Sequence, residues 1–444
     1  MKNTTIFKTF TKYVSLNILG MIGLSCYILA DTFFIAQGIG SDGLTALNLA
    51  LPVYSLINGL GLMIGMGGAT RYSIAAGSGN SKIQKEVFTL SFCFTLFLSF
   101  FFVLAGIFLP FRLASLMGAD ASILPMCGTY LRVLMVFTPM FMINNLLVCF
   151  VRNDGNPHLS TIAMLIGSFS NIVLDYIFVF PLQMGIQGAA LATGAAPVIS
   201  ILLISRHMLQ KKNHFHFAHV TLHIRKFFDI SLLGISSLIS ELSSGIVMLV
   251  FNMLILKSSG NLGVAAYGII ANIALVLISI FTGIAQGIQP VLSLNYGRNE
   301  TNNIRSVRRY SLAASVLFAL LSYAVTSFFA SPIAEVFNKD HDPALTAMAV
   351  HGLRIYFTAF LFIGINIITA SYLSSIDQPL QGFVISLLRG FILVVPIAFL
   401  LSTLFGLTGI WMTLPIAEAL VCIISFCFIF RSSKSSSFSR HGSN

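Results

Sequence analysis

Residues 43–77 read GLTALNLALPVYSLINGLGLMIGMGGATRYSIAAG, and residues 263–297 read GVAAYGIIANIALVLISIFTGIAQGIQPVLSLNYG. The two stretches share identities at a constant offset of 220 residues: Gly43 with Gly263, Gly67 with Gly287, Ser73 with Ser293 and Gly77 with Gly297. Later matches at nearly the same offset pair Asn144 with Asn366, Pro157 with Pro379, and Gly185 with Gly406. A repeat of this length predicts two structurally matched halves.

The composition is that of a membrane protein. Of the 444 residues, 56% are hydrophobic and only 9% are charged, whereas soluble chains carry about 25% charged residues. A helical span needs roughly 20 apolar residues. The sequence therefore predicts an all-α membrane protein with about twelve transmembrane helices in two pseudo-symmetric six-helix lobes. We expect the spans near residues 12–37, 45–76, 84–110, 122–150, 158–180, 185–206, 228–257, 262–294, 307–330, 346–373, 380–401 and 406–430.

The halves are predicted to be an N-lobe (1–206) and a C-lobe (228–430), joined by a cytosolic linker (207–227) and followed by a disordered cytosolic tail (431–444). The linker reads HMLQKKNHFHFAHVTLHIRKF and is rich in histidine. Two readings stay open for it. His219 and His223 would share one face of a helix and could bind a metal, or the stretch is a basic amphipathic helix on the inner leaflet.

The net charge of +11 does not indicate nucleic-acid binding, because the basic residues are unevenly distributed between loops. Most fall in segments on the same side as the N-terminus, whereas the opposite loops hold only Arg112, Lys257 and Lys339. This asymmetry predicts that both termini are cytoplasmic. No nucleotide-binding loop, His-Glu-x-x-His motif or Ser–His pair appears in the spans, so we expect neither an enzyme nor a cofactor.

Two intramembrane carboxylates, Asp31 and Asp175, have no basic residue within a helical turn or two. Both are predicted at a similar depth, and ionisable groups at such depth are costly and usually functional. Together they predict a site for Na⁺ or H⁺, since hard cations prefer oxygen ligands and two close carboxylates can share a proton. The alternative is that each caps a neighbouring backbone. The expected cation-binding residues are Asp31, Asn171, Asp175, Ala189, Thr193 and Tyr27, with no other metal.

Two further acids are predicted at membrane depth. Glu241, beside Ser240, Ser243 and Ser244 in the C-lobe, is a candidate second cation ligand, a counter-charge for substrate, or a residue satisfied by the serines. Glu418 is predicted at the depth of Arg389, and we expect these two to form a structural ion pair. Polar residues expected to line a substrate cavity, or else to bond helices together, are Gln37, Asn48, Asn144, Asn145, Asn272, Gln286 and Asn366.

Three stretches resemble the multidrug and toxic compound extrusion (MATE) family, in its bacterial and archaeal DinF-like or MepA-like branch. They are ILADTFFIAQGIGSDGLTALNLALP (28–52), VRNDGNPHL (151–159) and NIVLDYIFVFPLQMGIQGAALAT (171–193). By this resemblance, the family's N-lobe cation-site residues correspond to Asp31, Asn171, Asp175, Ala189, Thr193 and Tyr27. The resemblance also implies a multi-pass protein of a prokaryotic plasma membrane.

The resemblance implies a secondary antiporter, driven by H⁺ or Na⁺, that exports amphipathic and often cationic organic compounds such as drugs. Its expected partners are small organic substrates and the lipid bilayer, and the expected state is a monomer. The alternative is a lipid-linked precursor flippase of the same superfamily. A flippase would need a strongly basic cavity, and only Arg132, Arg354 and Arg389 are expected at membrane depth, away from the ends of the predicted spans.

Overall fold

The computed structural model describes residues 2–210, 212–221, 223–338 and 342–438. Lys339 and the last part of the predicted tail, 439–444, lie outside the described residues. The described part is helical and contains no β-strand. Its helices are α1 (Lys2–Gly38), α2 (Ser41–Gly77), α3 (Ser81–Phe108), α4 (Pro110–Leu116), α5 (Leu124–Val136), α6 (Thr138–Asn153), α7 (Pro157–Val179), α8 (Gly185–Leu209), α9 (Ile224–Gly297), α10 (Thr301–Phe328), α11 (Ala330–Phe337), α12 (Pro343–Tyr356), α13 (Phe360–Ser375), α14 (Pro379–Leu387) and α15 (Val394–Phe438).

The helices confirm the predicted all-α membrane fold. By length and hydropathy, nine helical stretches of the described residues can cross a membrane, and α5 with α6, bent by 47°, makes a tenth. Two of these stretches, α9 and the one from Pro379 to Arg431, are broken where Gly260 and Gly406 leave the helical conformation. Each break divides one of these stretches into two helices, so the ten stretches together provide the expected twelve spans. Helices are required because the bilayer core offers no water to unpaired backbone groups.

The internal repeat is visible in the backbone. Residues with positive φ occur at turns, where glycine adopts the left-handed region without steric cost. Gly40 (φ 90°, ψ −162°) follows the first span, and Gly260 (φ 64°, ψ −159°) occupies the equivalent place 220 residues later. Other positive-φ residues recur in the same register: Gly79 with Asn299, Gly155 with Asp377, and Gly185 with Gly406. The two halves of the sequence therefore turn at matching positions.

The described chain forms two compact units. One comprises Ser15–Leu242, and the other combines the N-terminal segment through Val14 with the chain from Ser243 onward. The boundaries thus fall inside α1 and α9 rather than at the linker. Glu241, assigned from sequence to the C-lobe, belongs to the first unit.

Backbone contact explains why the start of α9 packs with the N-terminal helices. A Cβ on Gly67 would lie 1.9 Å from the Ile230 carbonyl oxygen, and one on Gly234 would lie 1.8 Å from that of Met63. Only glycine permits such an approach between α2 and α9. The equivalent contact in the other unit is made by Gly287, where a Cβ would lie 2.8 Å from Val14 Cα.

The linker differs from both sequence-based readings of it. Among its described residues, 212–221 and His223 are not helical, and helix resumes only at Ile224. His219 and His223 therefore do not share a helix face, and an amphipathic helix does not run through the segment. The physical reason is Phe215, which is fully buried against Phe88, with ring centroids 4.7 Å apart, and Phe150, at 6.0 Å.

Polar contacts hold the linker in the same unit. The His214 backbone N–H donates to Asp154 Oδ2 at 2.8 Å, and the Tyr72 hydroxyl donates to the other oxygen of this carboxylate. The Ala218 backbone N–H donates to Thr89 Oγ1 at 3.0 Å. The described linker residues therefore pack as part of the unit formed by Ser15–Leu242.

The first part of the predicted disordered tail is helical instead. Helix α15 continues through Phe438, so 431–438 extend the last span as helix. Once an apolar span has nucleated a helix, each added residue gains a backbone hydrogen bond at little further cost.

Replacing the buried linker phenylalanine should destabilise the protein. Phe215→Ala removes a fully buried ring and should lower the free energy of unfolding by about 3–5 kcal/mol. Thermal unfolding in detergent measures the loss. Phe217→Ala is the matched control, because Phe217 is 59% exposed and should cost much less. Equal losses for the two variants would contradict the role assigned to Phe215.

Candidate functional site

The centre of the candidate site is the carboxylate pair, Asp31 on α1 and Asp175 on α7. Asp31 is 7% exposed and Asp175 is fully buried. The two side chains lie within hydrogen-bonding range of each other. Two ionised carboxylates only accept, so this contact becomes a hydrogen bond when one of them is protonated.

The pair and its neighbour Asn171 lack other partners. Within the described residues, no hydrogen bond reaches Asp31 Oδ1, either oxygen of Asp175 or either side-chain polar atom of Asn171. Asn171 is itself fully buried and precedes Asp175 by one helical turn, which places both on one face of α7. Buried polar groups are normally paired. Three carboxylate oxygens and an amide oxygen without donors are a ligand set suited to a proton or a hard monovalent cation.

The two predicted site residues of α8, Ala189 and Thr193, are hydrogen-bonded to each other. Thr193 Oγ1 donates to the Ala189 carbonyl oxygen at 3.0 Å, so the hydroxyl proton points back along its own helix. The Tyr130 hydroxyl on α5 lies within hydrogen-bonding range of Thr193. Tyr130 is 3% exposed and was not singled out from sequence, because a lone tyrosine in an apolar helix gives no local signal.

The Tyr27 hydroxyl is hydrogen-bonded to the hydroxyl of a second tyrosine. It lies 2.7 Å from that of Tyr54 on α2. The Tyr54 ring in turn packs edge-on against Phe141, with centroids 5.8 Å apart. Tyr54 was not among the predicted residues, since nothing in the sequence connects the second span to the first-span tyrosine.

Glu241, in the first part of α9, lies beside α2. Asn58 Nδ2 donates to Glu241 Oε2 at 3.1 Å, and Asn145 Nδ2 on α6 donates to Asn58 Oδ1 at 2.7 Å. The close packing at Gly67 and Gly234 described above brings these helices together. Asn58 was missed in the sequence because its neighbours in α2 are apolar.

The structure gives the seven predicted cavity residues different surroundings. Gln37, Asn48 and Asn272 have exposed side chains. Asn144 is half-buried, and its Oδ1 has no hydrogen-bond partner among the described residues. Gln286 and Asn366 are buried, and Asn145 belongs to the contact with Asn58.

Arg389 and Glu418 form a buried ion pair. Arg389 Nη2 lies 2.8 Å and Nε 3.1 Å from Glu418 Oε1. Asn366 Nδ2 donates to Glu418 Oε2 at 2.7 Å, and Ser425 Oγ donates to Asn366 Oδ1 at 2.9 Å. Arg389 lies in a short π-helical turn, Leu388–Ile392, between α14 and α15. Unlike the carboxylate pair, Glu418 therefore accepts hydrogen bonds at both of its carboxylate oxygens.

Neutralising Glu418 should lower the stability of the folded protein. Glu418→Gln leaves the Arg389 guanidinium buried without its counter-charge, which should cost about 3–5 kcal/mol. The melting temperature in detergent measures this, and Glu335→Gln, at an exposed position, is the control. Unchanged stability with lost transport would instead place Glu418 in the transport mechanism.

Among the described residues, no group of three or more His, Cys, Asp or Glu side chains lies close enough together to hold a metal ion.

Comparison with known proteins gives the family. The sequence model of the MatE family matches residues 17–177 and 235–400. The multidrug export protein MepA of Staphylococcus saprophyticus is 26% identical over 431 residues, which cover 97% of this chain and 94% of that protein. MepA of Staphylococcus aureus strain MRSA252 is 25% identical over 434 residues, with the same two coverages.

Solved structures agree with the fold. A multidrug resistance MATE family transporter of the MOP superfamily, in an outward-facing conformation, superposes with a TM-score of 0.91 at 22% identity, over 97% of this chain and 96% of that one. A MOP superfamily transporter from Pyrococcus furiosus gives a TM-score of 0.89 at 22% identity and the same coverages. Since the family match extends over most of the sequence, this chain belongs to the MatE family, whose name stands for multidrug and toxic compound extrusion.

Proposed function

We propose that this protein is a secondary antiporter that exports amphipathic, often cationic, organic compounds in exchange for H⁺ or Na⁺. One observation carries the proposal: Asp31, Asp175 and Asn171 are buried, and Asp31 Oδ1, both Asp175 oxygens and the Asn171 amide have no hydrogen-bond partner among the described residues. A buried carboxylate pair of this kind is costly unless a proton or a cation neutralises it. The similarity to the multidrug export protein MepA supports drug-like organic compounds as substrates.

The mechanism follows from linkage between ion and substrate. An ion shifts the balance between two conformations only by its difference in affinity for them. If the carboxylate pair binds the ion more tightly in the outward-open state, ion entry favours that state and substrate release. Ion loss to the inside then favours the return. Asn171 and Thr193 are proposed as further oxygen ligands, and Tyr130 as the residue that orients Thr193.

The flippase alternative receives less support. An anionic lipid-linked substrate would need free basic groups, but Arg389 is engaged by Glu418. The Arg132 guanidinium lies over the Phe111 ring, 5.3 Å from its centroid. The acidic carboxylate pair favours cation exchange instead.

The carboxylate pair should act as one unit. Asp31→Asn and Asp175→Asn should each abolish ion-driven efflux, because each removes a charge whose gain and loss drives the cycle. The double variant should be no worse than either single one, as for residues that act together. Raising the pH should strengthen Na⁺ binding if Na⁺ and protons compete for the same oxygens.

The measurement is efflux from inverted vesicles under separately imposed Na⁺ and H⁺ gradients, with thermal unfolding of each variant as the folding control. Normal ion-driven transport by both single variants would place the coupling site elsewhere, and Glu241 would become the first candidate.

We also propose that both termini are cytoplasmic, on the basis of the Lys/Arg asymmetry. A reporter that is active only outside the cytoplasm should give signal when fused after Gly40 or Gly406, two of the positive-φ residues at which the chain turns between spans. The same reporter after Asn444 should be silent. A silent Gly40 fusion, or an active Asn444 fusion, would reverse the orientation.

A further inference from the structure

Three polar side chains from three helices form a chain of hydrogen bonds, the asparagine relay: Asn145 on α6, Asn58 on α2 and Glu241 on α9. Asn145 Nδ2 donates to Asn58 Oδ1 at 2.7 Å, and Asn58 Nδ2 donates to Glu241 Oε2 at 3.1 Å. All three residues belong to the unit Ser15–Leu242. The relay therefore links the carboxylate to two neighbouring helices.

The relay has a fixed direction. Asn145 Nδ2 also approaches the Asn58 backbone carbonyl oxygen, at 3.4 Å. A carbonyl only accepts, so it orients the Asn145 amide with its NH₂ group toward α2. The Asn58 oxygen must then face Asn145, and the Asn58 NH₂ group must face Glu241. This donor pairs with a carboxylate oxygen in a charge-assisted hydrogen bond.

Small residues on α2 make the relay geometrically feasible. A Cβ on Gly61 would lie 3.0 Å from Asn145 Nδ2, and one on Gly65 would lie 3.0 Å from the Asn145 carbonyl oxygen. On the other side of α2, a Cβ on Gly59 would lie 3.2 Å from Glu241 Cβ. The glycines thus bring α6 and α9 close to opposite sides of Asn58, which leaves the three side chains little freedom.

An aromatic side chain lies one helical turn from Asn58 of the relay. Tyr54 precedes Asn58 by one helical turn and so shares its face of α2. Its hydroxyl is within electrostatic range of Glu241, and its ring packs against Phe141. A carboxylate beside aromatic rings is the combination that binds organic cations, through charge and through the ring quadrupole.

We propose that Asn58 and Asn145 are positioning residues that hold the Glu241 carboxylate as the counter-charge for the cationic group of an organic substrate. The inference rests on the proposed export function and assigns its charge recognition to a place distinct from the carboxylate pair. The two sites differ in their hydrogen bonds. Three of the four oxygens of the carboxylate pair have no donor among the described residues, which suits an exchanging ion, whereas Glu241 accepts a directed hydrogen bond from Asn58.

The test is equilibrium binding of tetraphenylphosphonium, a permanent organic cation with aromatic rings, to the purified full-length protein. Binding is measured by dialysis with labelled cation and no ion gradient, so that ion coupling does not enter. Glu241→Gln, Asn58→Ala and Asn145→Ala should each raise the Kd about tenfold or more, as expected for loss of a hydrogen bond to a charged group.

A double-variant cycle separates positioning from a general packing role. Asn145→Ala should weaken binding in the wild-type background and have no further effect in the Glu241→Gln background, because its influence passes through the carboxylate. Asn153→Ala is the matched control. It removes another side-chain hydrogen bond between α6 and α2, in which Ser73 Oγ donates to Asn153 Oδ1 at 2.6 Å, and should leave the Kd unchanged.

The proposal is contradicted if the Asn145→Ala variant binds the cation as tightly as the wild type does. It is also contradicted if Asn145→Ala weakens binding equally in the wild-type and Glu241→Gln backgrounds. Failure of the wild type to bind tetraphenylphosphonium would overturn the assignment of Glu241 to organic cations. Neither result bears on ion coupling, which the Asp31 and Asp175 variants test separately.

Discussion

The bilayer core excludes water, so every polar group placed there must find its partner within the protein. This constraint shapes the interior of the molecule. Glu418 accepts hydrogen bonds from Arg389 and Asn366, and Glu241 accepts one from Asn58. The carboxylate pair with Asn171 has different surroundings, because Asp31 Oδ1, both Asp175 oxygens and both side-chain polar atoms of Asn171 are buried without a partner among the described residues. We propose that an exchanging ion supplies the missing interaction there.

Glycine contacts between helices determine which acids meet which partners. Because Gly67 and Gly234 allow backbone contact between α2 and the first part of α9, Glu241 packs against the N-terminal helices. The acid that the repeat assigns to the second half of the sequence is thereby placed beside Asn58. Three intramembrane acidic sites in one chain thus have three surroundings: a donor-free pair, an amide-held carboxylate and a closed ion pair. We propose that the three sites serve ion exchange, substrate recognition and stability respectively.

The sequence by itself determined the fold class and the repeat. Twelve spans follow from apolar length, and the matched halves follow from glycines whose backbone the structure shows in the same left-handed conformation, such as Gly40 and Gly260. The closeness of Asn171 and Asp175 followed from their spacing on one helix. These features could be read because they depend on local periodicity or on the conformational demands of single residues.

Only the tertiary structure decided how side chains from distant segments meet. The linker looked like a surface segment from its histidines, but Phe215 anchors it in an aromatic cluster. Tyr54, Asn58 and Tyr130 carry no signal in sequence, since each is a single polar residue in an apolar helix. Their contacts depend on which helices pack together and at what rotation. In a membrane, that choice is set by interhelical packing at small residues rather than by hydrophobic patterning, because lipid and protein interior are equally apolar.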